Sequence, residues 1–170
     1  HQLVYVAGDT RFNESLATAV ERLGGERWLA QASPEAQQAY AQFDQRRQAF
    51  RELTRKTREN LDQIYALSLY LNGIDATEKR NELLQKKQQT MAVFKLDYER
   101  LKAQWGGHSG YDAWVARANN ASFAVQAAYD DAVPAFTALF EREGRNFPRF
   151  YDAVRRLAEL PKTQRDAELN

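Results

Sequence analysis

Two long runs in this chain place apolar side chains on a seam of roughly 3.5-residue period, and that spacing constrains the fold more than any other feature. The first run carries Tyr40, Phe43, Phe50, Leu61, Ile64 and Leu71, and Asn72-Gly73 ends it. The second opens at Asp75-Ala76-Thr77-Glu78 and steps by threes and fours through Leu84, Lys87, Met91, Phe94, Tyr98, Leu101 and Trp105 to Gly106-Gly107. Ser33-Pro34-Glu35 supplies a capping hydroxyl, a proline at the first helical position and an acid in the first turn, so a helix starts there. Two long helices joined by a short loop pack antiparallel, which predicts a helical hairpin over residues 34–105.

The flanking segments are helical too. Leu3 to Val6 forms either a helix end or a short extended piece, and Gly8-Asp9-Thr10 turns into a helix bearing Leu16, Ala19, Val20 and Leu23. Gly24-Gly25 is the expected stop, with Trp28-Leu29 opening a short second helix. Tyr111 to about Glu143 reads as one further stretch, its apolar positions Trp114, Phe123, Val125, Tyr129, Val133, Phe136, Leu139 and Phe140, kinked or split at Pro134. A last helix carries Phe150, Val154 and Leu157 up to Pro161, and the polar tail 162–170 is expected to fray. The expectation is an all-α fold of about five to six helices forming one domain over residues 1–170, whose length suffices for a core of its own.

Composition excludes several function classes. Lys and Arg (24) nearly cancel Asp and Glu (23), so the field that draws nucleic acid is missing and no nucleic-acid partner is expected. Without cysteine there is no disulfide, thiolate zinc site or Cys nucleophile. No apolar run approaches the roughly 20 residues of a membrane-spanning helix. The sequence starts at His1 rather than at Met, which suggests a processed or trimmed product.

Few residues are candidates for chemistry. His108 lies in a Gly-rich turn with no acidic or second His partner at ligand spacing and reads as an exposed loop residue. His1 precedes Asn13-Glu14-Ser15-Leu16-Ala17, which has the Asn-Glu-x-x-Ala form that supplies a third zinc ligand in some HExxH peptidases. By themselves, Asn13 and Glu14 are equally a cap and a dipole-favoured acid at a helix start. Asn119-Asn120 are poor helix formers and serve either as capping or core amides or as contacts to a substrate backbone or amine. Tyr129 either packs or stabilises an oxyanion. Asp130, Asp131 and Glu21 read first as members of a solvated helix face and second as candidate anchors for a substrate amine.

Beyond these local readings, the chain resembles the predicted zinc aminopeptidases of bacteria. His1-Gln2, Tyr5-Val6, Gly8-Asp9-Thr10, Phe12 to Ser15 and Ala17 to Glu21 look like the family segment that begins at the last His of HExxH. Further likeness lies in Trp105-Gly106-Gly107, Gly110 to Trp114, Asn119-Asn120-Ala121, Tyr129, Val133 to Phe136, Phe150-Tyr151 and Leu160-Pro161-Lys162. It implies the helical half of a zincin-like metallopeptidase acting on peptides, with His1 and Glu14 as zinc ligands and the first His and catalytic Glu upstream of residue 1. On that reading the chain alone is inactive, self-associates through an apolar face, and comes from a periplasmic or envelope protein of a Gram-negative bacterium. The competing expectation is a non-catalytic module whose hairpin grips a protein partner, supported if Leu69 and Leu71 stand exposed near the tip.

Overall fold

The computed structural model describes residues 3–69 and 76–169. The turn at Asn72-Gly73, Leu71, and the side chain of Leu69 lie outside the described residues, as does His1. Among the described residues the fold is all-α, as expected, with eight helices: α1 (Thr10–Leu29), α2 (Pro34–Leu69), α3 (Ala76–Gln104), α4 (Asp112–Arg117), α5 (Asn120–Asp130), α6 (Val133–Arg142), α7 (Phe147–Glu159) and α8 (Lys162–Glu168). None is long and apolar enough to cross a membrane. The chain forms two compact units, one of residues 1–37 with 125–170 and one of residues 38–124.

The second unit contains most of the hairpin. The α2 helix runs for 36 residues and α3 for 29, so α2 is about 54 Å long at 1.5 Å per residue. Ser33 Oγ accepts a hydrogen bond from the Ala36 N–H, so the expected cap starts α2. Phe50 of α2 meets Tyr98 of α3, and Tyr65 meets Lys87; partners that descend in α3 as they ascend in α2 mean antiparallel helices. Phe50, Leu61, Phe94 and Tyr98 are buried together with Val115 and Phe123. The seam is less apolar than its period implies, because Thr54 and Thr57 are also buried and return their hydroxyl protons to the Arg51 and Leu53 carbonyls. Its outer positions Phe43 and Leu84 remain exposed.

The first unit packs α1 against α6, with Phe12, Leu16, Ala19 and Leu23 meeting Val133, Phe136, Leu139 and Phe140. The Phe12 and Phe136 rings meet edge to face with centroids 5.4 Å apart. Phe150 and Val154 of α7 complete this core. Burial along this stripe carries α1 through Gly24-Gly25, which cost roughly 1 kcal/mol each relative to alanine. Trp28 and Leu29 therefore form its last turn rather than a second helix.

Two further expectations change. The stretch 111–143 is three helices, because Ala118 is extended (ψ 131°) and Asn119 takes a cap, while Pro134 sits in the first turn of α6, where its missing N–H costs nothing. The tail does not fray but forms α8, with Arg165 and Leu169 buried.

Candidate functional site

Position by position, the start of α1 departs from a helix whose Asn caps and whose Glu serves the dipole. Gly8 adopts φ 79°, a left-handed turn that puts Asp9 at the N-cap, where its Oδ1 accepts from the Phe12 N–H at 3.1 Å. Asn13 is thus inside the helix and buried; its amide closes a two-way bridge to Val6, accepting from its N–H at 2.9 Å and donating to its carbonyl at 2.8 Å. The bridge fixes the irregular segment 3–6 against α1 and turns Val4 into the core while Leu3 and Tyr5 face outward. Glu14 then lies beyond the first turn, where the helix dipole has largely decayed.

A second anchor for that segment comes from the far end of the chain. The Asp9 Oδ2 atom accepts from Arg165 Nη2 at 2.7 Å and from Nε at 3.0 Å, and both side chains are almost wholly buried. Arg165 also donates to the Leu160 carbonyl at 2.7 Å and lies over the Phe12 ring. Burial pushes the Asp9 carboxyl up, but the Phe12 N–H, the Arg165 guanidinium and the Lys162 ammonium together outweigh it and hold the acid below its usual range.

Glu14 meets the end of α5. Ser15, fully buried, donates to the Ala128 carbonyl at 2.9 Å and accepts from the Ala132 N–H at 3.3 Å, so one hydroxyl joins α1 to both sides of the α5–α6 turn. About two helical turns further, Arg22 pairs with Asp130 at 2.9 Å, and Gln126 donates to the same carboxylate. Between these anchors the Tyr129 phenol donates to the Glu14 carboxylate, and the Glu14 charge raises the phenol above its ordinary pKa. Glu14 and Tyr129 stand apart in the sequence and the fold brings them together. Ser15 and Arg22 carry no motif, but Ser15 falls among Phe12, Leu16 and Ala19 on the apolar stripe, where a polar residue calls for a partner.

Asn119 and Asn120 lie elsewhere, in the second unit. Asn119 Oδ1 accepts from the Ser122 N–H and its own N–H donates to Ser122 Oγ, a reciprocal box that starts α5. Asn120 donates to the Tyr65 hydroxyl of α2 and keeps a buried carbonyl oxygen without a hydrogen-bond partner. Both amides thus have work in the fold. His108 is exposed, with its ring against Gly110 and beside Tyr111. Glu21 and Asp131 are exposed, whereas Asp130 is engaged by Arg22.

Zinc requires three protein donors in a catalytic site. Among the described residues no group of three His, Cys, Asp or Glu side chains is close enough to hold a metal. Of the expected ligands only Glu14 is described; it is half-buried and lies against the Tyr129 phenol, and one carboxylate alone does not make up a zinc site.

Taken together, these elements define an all-α protein. The chain matches the family described as "Putative aminopeptidase" over residues 1–169 and belongs to that family. No curated protein and no solved structure matches it.

Proposed function

We propose that this chain is the helical part of a zinc-dependent aminopeptidase, with Glu14 as one metal ligand, His1 as another, and the first His and general-base Glu of an HExxH motif upstream of residue 1. The zinc would supply an activated water for attack on the peptide carbonyl. The observation that carries the reading is the placement of Glu14. Its helix is fixed by the Asn13–Val6 bridge and by Ser15, and its carboxylate is oriented by Tyr129 rather than spent on a cap. Family membership supports the peptidase part. An envelope location for the parent protein follows from the resemblance and is part of the same proposal.

The test compares this chain with the protein extended upstream through the motif. The extended protein is expected to hold about one zinc, to cleave an aminoacyl reporter, and to lose both with Glu14→Ala, while the present chain cleaves nothing. Zinc binding that survives Glu14→Ala would sink the assignment.

A second role has one specific observation in its favour. Leu67 of α2 and Leu84 of α3 are each 55% exposed, and Val93 and Leu96 of α3 are exposed to similar extents. A hairpin that docks a protein partner predicts that Leu67→Ser with Leu84→Ser leaves zinc and hydrolysis intact and abolishes the partner's pull-down.

A further inference from the structure

One face of the α2–α3 hairpin is taken within its own unit. Asp112 accepts from Tyr98 and Lys102 of α3, and Asn120 donates to Tyr65 of α2. None of these three hairpin residues borders the groove of about 470 Å³ that runs between the two helices. On α2 the groove is lined by Leu53, Thr57, Asn60, Ile64 and Leu67, and on α3 by Lys86, Thr90, Val93 and Asp97. Both sets step by alternating fours and threes, the spacing by which helices pack side by side. The seam that joins α2 to α3 is a different one, through Phe50, Leu61, Phe94 and Tyr98. Thr57 and Thr90 return their hydroxyl protons to carbonyls of their own helices, so they bring no unmet donor to the groove. Leu67 and Val93 stand 55% and 49% exposed there.

The groove is complementary to itself. Lys86 and Asp97 mark its two ends on α3, about 17 Å apart, and Leu53 and Leu67 mark its ends on α2, about 21 Å apart. A two-fold axis lying across both helices at right angles brings Lys86 to Asp97 of the second copy and Leu53 to Leu67 of the second copy. The midpoint on α2 is Asn60, and that on α3 falls between Met91 and Ala92. The contacts of Phe50 with Tyr98 and of Tyr65 with Lys87 set Asn60 level with residues 90–91. The two midpoints therefore coincide to about one residue, ~1.5 Å, and one axis serves both helices. On that axis Asn60 meets its own copy, and a carboxamide, which carries both donor and acceptor, pairs with itself about a two-fold. We infer that the hairpin binds a second copy of this chain through this groove, antiparallel, to form a four-helix bundle. This names the partner in the docking role given above and rests on it. Lys86 and Asp97 have exposed partners on their own helix, Glu82 and Arg100, and such pairs are too weak to keep them from a second copy.

The experiment is sedimentation velocity on the full chain over a concentration series. Two helices facing over about 20 Å make an interface at the small end for protein complexes, so monomer is expected to pass to dimer through the micromolar range. Lys86→Asp and Asp97→Lys each set like charges opposite one another and should weaken the dimer at least about tenfold. Mixed one to one, the two variants regain both pairs and should dimerise as the unaltered chain does. Their melts, taken where the unaltered chain is monomeric, should match its own. The chain has no cysteine, so Asn60→Cys should cross-link into dimers under mild oxidation, whereas Asp62→Cys, on the opposite side of α2, should not. A chain that stays monomeric to about 1 mM, a dimer indifferent to both charge changes, or single losses that mixing does not repair each overturns the inference. A monomer that holds a foreign protein, and loses it with Leu67→Ser and Leu84→Ser, removes the second copy alone. A monomer that holds none removes the docking role as well.

Discussion

Asp9→Asn isolates the ion pair that ties the two ends of the first unit together. Asparagine caps a helix about as well as aspartate, so the Phe12 N–H keeps an acceptor and the capping contribution is largely preserved. What changes is that Arg165, its side chain 5% exposed, loses the carboxylate that received two of its hydrogen bonds. Breaking a buried pair from one side costs about 3–5 kcal/mol. The low end applies here, about 3 kcal/mol, because the Leu160 and Ala158 carbonyls still accept from the guanidinium. The assay is urea denaturation followed by circular dichroism, with Arg165→Met and the double variant completing the cycle. The double variant should be more stable than the sum of the two single losses predicts, since it leaves neither charge stranded. The pH dependence has a definite sign. The Asp9 carboxyl is lowered in the folded protein, so its contribution is complete above its unfolded pKa and is lost as the pH falls through the folded value, below about pH 4. In Asp9→Asn that part of the acid sensitivity should vanish. A cost under about 1 kcal/mol would mean that the pair behaves as an exposed one and would refute the reasoning.

Asn119→Ala removes the reciprocal box with Ser122 and should destabilise the start of α5 by about 1 kcal/mol, seen as faster amide exchange over the first turn of that helix. If the amide instead contacts substrate, KM moves and exchange does not. Tyr98, buried and bonded to Asp112, is held protonated by burial and by that acid, so an absorbance titration should find at least one of the eight tyrosines resisting ionisation until the protein unfolds. The raised phenol contributes stability that is complete below pH about 10 and is lost at higher pH, and Tyr98→Phe should remove that alkaline loss. Lys102 shares Asp112, so Lys102→Met is expected to raise the Asp112 pKa toward its ordinary value by proton titration in NMR.

Much of this protein follows from its sequence by local rules. The hairpin, the Ser33 cap of α2 and the all-α class need only apolar period, capping chemistry and short connections, all of which are set within a few turns of one helix. Glu14 could be singled out by its Asn-Glu-x-x-Ala setting, and Tyr129 by its type and position. What the sequence could not settle depends on groups far apart along the chain. Whether Gly24-Gly25 stops α1 is decided by the stripe that α1 buries against α6, which outweighs the intrinsic cost of glycine. Whether the tail frays is decided by Asp9, 156 positions from Arg165, because a buried guanidinium is stable only where a carboxylate is delivered to it. Asn13 and Asp9 are both competent caps, and only the turn at Gly8 and the position of Val6 choose between them. The meeting of Glu14 with Tyr129 has the same origin: the separation of 113 residues between Ser15 and Ala128 is bridged by a buried hydroxyl and, farther along α1, by the Arg22–Asp130 pair, and local periodicity carries no information about such contacts.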